Sequence, residues 1–127
     1  MRRAGWVLVI DDDAALLRLL DAALRQAGYV VETAPAAGMA LDRLWAEWDD
    51  QPDVILLDLL LPAVDGKTFA DLYRAMPVRH APIVLMSALP EAAEVGPAIE
   101  ARDVLRKPFD LDDLLERVRR AGGTTTP

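Results

Sequence analysis

Two patterns of apolar residues alternate along the chain. Trp6-Val7-Leu8-Val9-Ile10, Val54-Ile55-Leu56-Leu57 and Ile83-Val84-Leu85-Met86 are continuous apolar runs of strand length. They lack period-two alternation, as expected for parallel strands covered on both faces. Residues 29–34 and the short Val104-Leu105-Arg106 add two further strands. Between the runs, apolar residues recur at helical spacing: Leu16, Leu17, Leu20, Leu24; Leu41, Leu44, Trp45, Trp48; Phe69, Leu72, Tyr73, Met76; and Leu111, Leu114, Leu115, Val118.

Turn and cap residues punctuate this pattern. Gly28 stands where a helix C-terminal cap is wanted, so the first helix covers about 14–27. Pro35 suits the start of the second, and residues 49–53 form a polar turn. Asp65-Gly66 is a turn signal, and Pro77 and Pro82 bracket a loop. Pro90 and Pro97 interrupt the next segment, which predicts a short helix starting near Pro97 and a single turn around 91–94. Asp110 is the expected N-cap of the last helix. Trp45 and Trp48 read as packing residues, Trp6 as core edge, and His80, in a proline-flanked loop, as solvated. Five strands alternating with five helices, the fourth short or irregular, predict an α/β fold with a doubly wound parallel sheet and helices on both faces.

A chain of 127 residues suits one domain, and 53% hydrophobic residues rule out a shortage of core. There is no cysteine, which excludes disulfides and thiolate metal sites. The net charge of −7 disfavours direct nucleic-acid binding. No apolar stretch is long enough for a signal peptide or membrane span, so a cytoplasmic protein is expected. The domain is read as 1–121, with 122–127 as flexible tail or linker start.

The informative feature is a charge in the wrong place. Asp58 sits inside an otherwise apolar stretch ending in Leu59-Leu60-Leu61-Pro62. Burying it is unfavourable unless it is paired or functional. Ligands in open parallel sheets bind beyond the carboxyl ends of the strands. Asp11, Asp12 and Asp13 follow the first strand there, Asp58 ends the third, Ser87 the fourth, and Lys107 follows the fifth. Clustered carboxylates require a compensating cation, and hard oxygen donors suit Mg²⁺. A lone histidine cannot build a zinc site. An aspartate can attack phosphorus, while a lysine and a serine hydroxyl can meet the phosphoryl oxygens. The alternatives are an ion-paired structural Asp58, a helix-starting role for Asp11, Asp12 and Asp13, above all Asp13, and a capping role for Ser87.

In chain order, Val7-Leu8-Val9-Ile10-Asp11-Asp12-Asp13, Ala27-Gly28-Tyr29, Asp58-Leu59-Leu60-Leu61-Pro62, Asp65-Gly66, Met86-Ser87-Ala88 and Lys107-Pro108-Phe109 resemble the receiver domain of two-component response regulators. The resemblance extends to about Arg120. It implies a flavodoxin-like strand order 2-1-3-4-5 and a phosphoacceptor signalling switch, not an enzyme with an outside substrate, although one that assists its own phosphorylation and dephosphorylation. Asp58 would take the phosphoryl group. Asp11, Asp12, Asp58 and the backbone carbonyl of Leu60 would hold Mg²⁺. Ser87 would contact the phosphoryl group, Lys107 would pair with that group or with Asp58, and Pro108 would follow a cis bond. Asp13 falls at a variable position and is not expected as a ligand. The implied partners are a histidine kinase or phosphotransfer protein and a downstream protein target, with no direct nucleic acid and no membrane, and with the chain a monomer or weak homodimer.

Val104 stands where relatives usually carry an aromatic residue, and the segment from Ser87 to Lys107 is short for the family. The usual coupling and dimer face should therefore be altered. Leu60 and Leu89 offer no hydrogen bond to a hydrolytic water, so a long-lived phosphoryl state is expected. Two other readings are a phosphorylation-independent binding module and, opposed by Ala15 and the short chain, a phosphatase of the haloacid-dehalogenase type.

Overall fold

The computed structural model describes residues 5–122; the ends, including residues 123–127 of the expected tail, lie outside the described residues. The chain alternates β1 (Trp6–Ile10), α1 (Ala14–Gln26), β2 (Val30–Ala34), α2 (Ala37–Ala46), β3 (Val54–Asp58), α3 (Gly66–Ala75), β4 (Ile83–Ser87), α4 (Ala92–Ala98), β5 (Asp103–Arg106) and α5 (Leu111–Ala121). The strands are all parallel in the order β2-β1-β3-β4-β5, as expected. Every residue of β1, β3 and β4 is buried, because side chains on each face meet helices. Leu8, Ile10, Ile55, Leu57, Ile83 and Leu85 pack on one side with residues of α2, α3 and α4. Val7, Val9, Val54, Leu56, Val84 and Met86 pack on the other with α1 and α5.

Local chemistry closes the elements. Gly28 adopts φ 100°, and its amide bonds Arg25 O while that of Tyr29 bonds Leu24 O. This left-handed glycine cap satisfies two orphan carbonyls of α1 and turns the chain into β2. Asp13 caps the other end of α1, accepting the Ala15 and Leu16 amides. Asp110 occupies the N-cap of α5 without a side-chain cap bond.

Several expectations are corrected. Trp45 and Trp48 are 51% and 61% exposed. The buried line of α2 is Ala37, Ala40 and Leu44, and the helix ends at Ala46, so Trp45 turns outward and Trp48 has left the helical stripe. Leu72 is likewise exposed, while Ala70 and Tyr73 carry the buried line of α3. The Tyr73 hydroxyl accepts the Ala81 amide and donates to buried Gln51, a polar link read from sequence only as turn and stripe. Trp6 is buried within β1. His80 is exposed, with Nε2 2.9 Å from Met76 O. The fourth helix begins at Ala92 and holds Pro97 in its last turn instead of starting there. Proline is tolerated because it stands in the last turn, where one lost amide interrupts little of the ladder. α4 is also pressed against β5: a Cβ on Gly96 would lie 2.4 Å from Val104 Cγ2, so the valine uses the room the glycine leaves.

Candidate metal centre

Because all five strands run the same way, their carboxyl ends share one edge. The register pairs Ile10 with Leu57, Asp58 with Met86, and Ser87 with Arg106. Residues one step past β1 and β5 therefore converge on the last residue of β3. Asp11, Asp12 and Asp58 each offer a carboxylate oxygen, and these oxygens lie within 4.8 Å of one another. Asp11 and Asp58 are buried, whereas Asp12 is exposed. Asp13 is outside the cluster because its side chain is spent on capping α1. Its backbone nevertheless contributes: the Asp13 amide donates to Asp11 Oδ1 at 2.9 Å.

Lys107 is the cation at the cluster. Its Nζ donates to Asp11 Oδ2 at 2.6 Å and stands 3.6 Å from Asp58 Oδ1. The expected pairing with Asp58 is present at ion-pair distance, and a shorter contact is made with Asp11. Its amide bonds Ser87 O, and the Lys107–Pro108 peptide is cis, as expected. Burial pushes the Asp58 carboxyl above its usual range, and the neighbouring Asp11 charge pushes the same way. Lys107 and the Leu60 amide act in the opposite direction. Among the described residues, one ammonium against three carboxylates leaves surplus negative charge on hard oxygens, which fits a small divalent cation.

Ser87 is buried, and its Oγ accepts the Leu89 amide at 3.0 Å. It does not cap α4, which begins only at Ala92. The Leu60 side chain is 59% exposed at the mouth of the site.

Two features were not read from sequence. Gly66 is more than a turn residue: Asp65 caps α3 through the Thr68 amide, and Gly66 opens the helix against the β3 exit. A Cβ there would stand 2.6 Å from Asp58 O and 2.9 Å from Leu59 Cα. Its position just after a cap aspartate, eight residues past Asp58, is the only sequence signal. Beside the carboxylates, Leu16, Leu19, Ala88, Lys107, Pro108, Phe109 and Leu111 line an apolar groove of about 400 Å³. Leu19 of α1 is exposed, lies off the buried stripe and signals that groove only once α1 is set next to Pro108.

The sequence matches the response regulator receiver domain over residues 7–119. It is 38% identical over 116 residues to the DNA-binding dual master transcriptional regulator RpaA of Synechocystis, covering 89% of this chain and 47% of that protein. It is 39% identical over 117 residues to the transcriptional regulatory protein KdpE of Staphylococcus aureus, covering 89% and 48%. The chain thus spans about half the length of these curated relatives. A putative response regulator from Chloroflexus aurantiacus superposes with a TM-score of 0.83 at 31% identity, over 94% of this chain and 98% of that one. The chemotaxis response regulator CheY4 of Vibrio cholerae gives 0.83 at 30% identity, over 93% and 98%. Among the described residues no helix is long and apolar enough to cross a membrane.

Proposed function

This chain belongs to the response regulator receiver family, the signalling modules of two-component systems, and from that membership we propose that Asp58 is its phosphoacceptor. The observation that carries the reading is the meeting of Asp11, Asp12 and Asp58 around Lys107 at the carboxyl edge of the sheet. An Asp58 oxygen attacks phosphorus, the phosphorus–nitrogen bond of a phosphohistidine donor breaks, and the bonding pair leaves with the imidazole. The product is an aspartyl phosphate. Asp11, Asp12, Asp58 and the Leu60 backbone carbonyl would hold Mg²⁺, which when bound neutralises charge on the phosphoryl oxygens. Lys107 provides a second positive charge on the same side. The Ser87 hydroxyl turns its proton toward a phosphoryl oxygen; its bond to the Leu89 amide ties that contact to the segment leading into α4. From α4 the change passes to β5 through the Gly96–Val104 contact and alters the affinity for a downstream protein. The chain therefore promotes its own phosphorylation and acts on no other substrate.

The donor is a cytoplasmic histidine kinase or phosphotransfer protein. An apolar groove sharing Lys107 with the acidic centre suits a protein surface that must bring a histidine to Asp58. Leu19→Asp should slow transfer from such a protein by roughly tenfold, since a charge in an apolar contact weakens docking by a kcal/mol or more. It should leave phosphorylation by acetyl phosphate unchanged. An equal loss with both donors would count against the groove as the docking site.

The test of the central reading is incubation with acetyl phosphate and Mg²⁺ followed by intact mass. One phosphoryl group per chain is expected, and none in Asp58→Asn. No adduct on the natural chain would favour a phosphorylation-independent binding module; rapid turnover dependent on Asp11 would favour a phosphatase.

The phosphoryl group is expected to be long-lived. Leu60 is exposed beside Asp58 and Leu89 is half-buried near Ser87, and neither side chain can orient a water. Introducing a hydrogen-bonding group through Leu60→Asn with Leu89→Glu should shorten the half-life at least tenfold, within the range that general-base positioning supplies. A phosphate-release time course identical to that of the natural chain would refute this.

A further inference from the structure

The Asp11 carboxylate is engaged on both oxygens. Oδ1 accepts the Asp13 amide at 2.9 Å, and Oδ2 accepts Lys107 Nζ at 2.6 Å. The same Nζ is 3.6 Å from Asp58 Oδ1, beyond a strong hydrogen bond. The ammonium is thus bonded to a proposed metal ligand and only near the proposed phosphoacceptor.

The two partners of Asp11 differ in freedom. The Asp13 amide is fixed, because the Asp13 side chain caps α1 and the amide cannot swing away without disturbing that start. Lys107 hangs on a flexible stem. Oδ2 is therefore the oxygen a metal gains by displacing a side chain. Mg²⁺ binds oxygen at about 2.0–2.1 Å, so an ion sharing Oδ2 with the ammonium would stand no further than about 4.7 Å from Nζ. Like charges that close, against a carboxylate only 1% exposed, repel with little screening.

Resting on the reading of Asp11, Asp12 and Asp58 as the Mg²⁺ site, we infer that Lys107 is a built-in competitor of the metal at Asp11 Oδ2, and that metal entry hands its ammonium to Asp58. The nearest other acceptor is already in place, and a shift of about 1 Å brings Nζ to charge-assisted hydrogen-bond range of Asp58. Two consequences follow from one side chain. The resting Mg²⁺ affinity lies below what the carboxylates alone would give. The second cation closes from 3.6 Å to hydrogen-bond distance of the phosphoacceptor only when the metal is bound, which ties phosphoryl acceptance to metal occupancy.

Calorimetric titration of Mg²⁺ into the natural chain, Lys107→Met and Lys107→Gln at pH 8 tests this, with folding checked by circular dichroism. Both variants should bind Mg²⁺ on the order of tenfold more tightly, a coupling of ordinary size between two sites. Unchanged or weaker binding in the folded variants overturns the inference. A second readout needs no variant: the nitrogen resonance of the Lys107 ammonium should shift on Mg²⁺ addition, and a resonance unmoved at saturating Mg²⁺ overturns the hand-over. If the natural chain binds Mg²⁺ and takes a phosphoryl group while Lys107→Met binds no tighter, the competition fails and the phosphoacceptor reading stands. If the natural chain does neither, both fail.

Discussion

Asp58→Asn should melt several degrees higher than the natural chain at pH 7 while accepting no phosphoryl group at all. The loss of acceptance follows from chemistry, since an amide cannot form the acyl phosphate. The gain in stability follows from burial. Asp58 is buried at the end of β3 with the Asp11 charge beside it, and these two causes hold its carboxyl above the ordinary range despite Lys107. A folded pKa above the unfolded one means that the folded chain holds the proton more tightly. That stabilisation is fully present below the unfolded value and is lost as pH rises through the folded value. At neutral pH the ionised group therefore works against folding. The asparagine is neutral at every pH and keeps the shape, for a gain of about 1 kcal/mol, or roughly 4 °C in a domain of this size. The advantage should shrink as pH falls through the carboxylate range, where Asp58 is itself neutral. Mg²⁺ should raise the melting temperature of the natural chain more than that of the variant, because a ligand that binds only the folded state stabilises it. Melting curves from pH 3.5 to 8 decide the matter: a variant less stable at pH 7, or a difference independent of pH, would refute the account.

Gly66→Ala should be the most damaging single-methyl change outside the carboxylates. The added Cβ meets Asp58 O at 2.6 Å and Leu59 Cα at 2.9 Å, both backbone atoms with no rotamer to relieve them. The Gly66 amide also bonds Leu59 O at 2.8 Å, so the helix cannot back away without giving up that bond. Overpacking of this kind destabilises by about 1–3 kcal/mol. What yields is the β3 exit, which sets where Asp58 and Leu60 stand, so phosphorylation by acetyl phosphate should slow at least tenfold as the reacting groups lose alignment. Gly38→Ala provides the control. Nothing lies within 4 Å of a Cβ there, and the exposed helical site should tolerate it or gain slightly. Urea denaturation and phosphorylation rates of the two variants measure both effects. Equal behaviour would show that the close approach at Gly66 is not what holds the loop.

Element type and order were legible because buried parallel strands and amphipathic helices impose different periods, and Gly28 and Asp65 mark ends by local chemistry. Misreadings came where the period was incomplete. Trp45 lies within α2 but off its buried line, Trp48 lies beyond the end of that helix, and Pro97 closes a short helix it was expected to open. Which face a helix buries and where it stops both depend on the neighbour it packs against.

The candidate site divides in the same way. Sequence by itself determined that Asp11, Asp12, Asp58, Ser87 and Lys107 lie at strand ends, and that strands of one direction bring such ends to one edge. This follows from hydrophobic patterning and chain connectivity, both of which are local. Only the tertiary structure decided that Lys107 bonds Asp11 in preference to Asp58, that Asp13 serves through its amide, and that Gly66 abuts the backbone of Asp58. Those outcomes turn on differences of about an ångström between residues as much as 96 positions apart, set by how strands and helices pack and not by any residue's own preference.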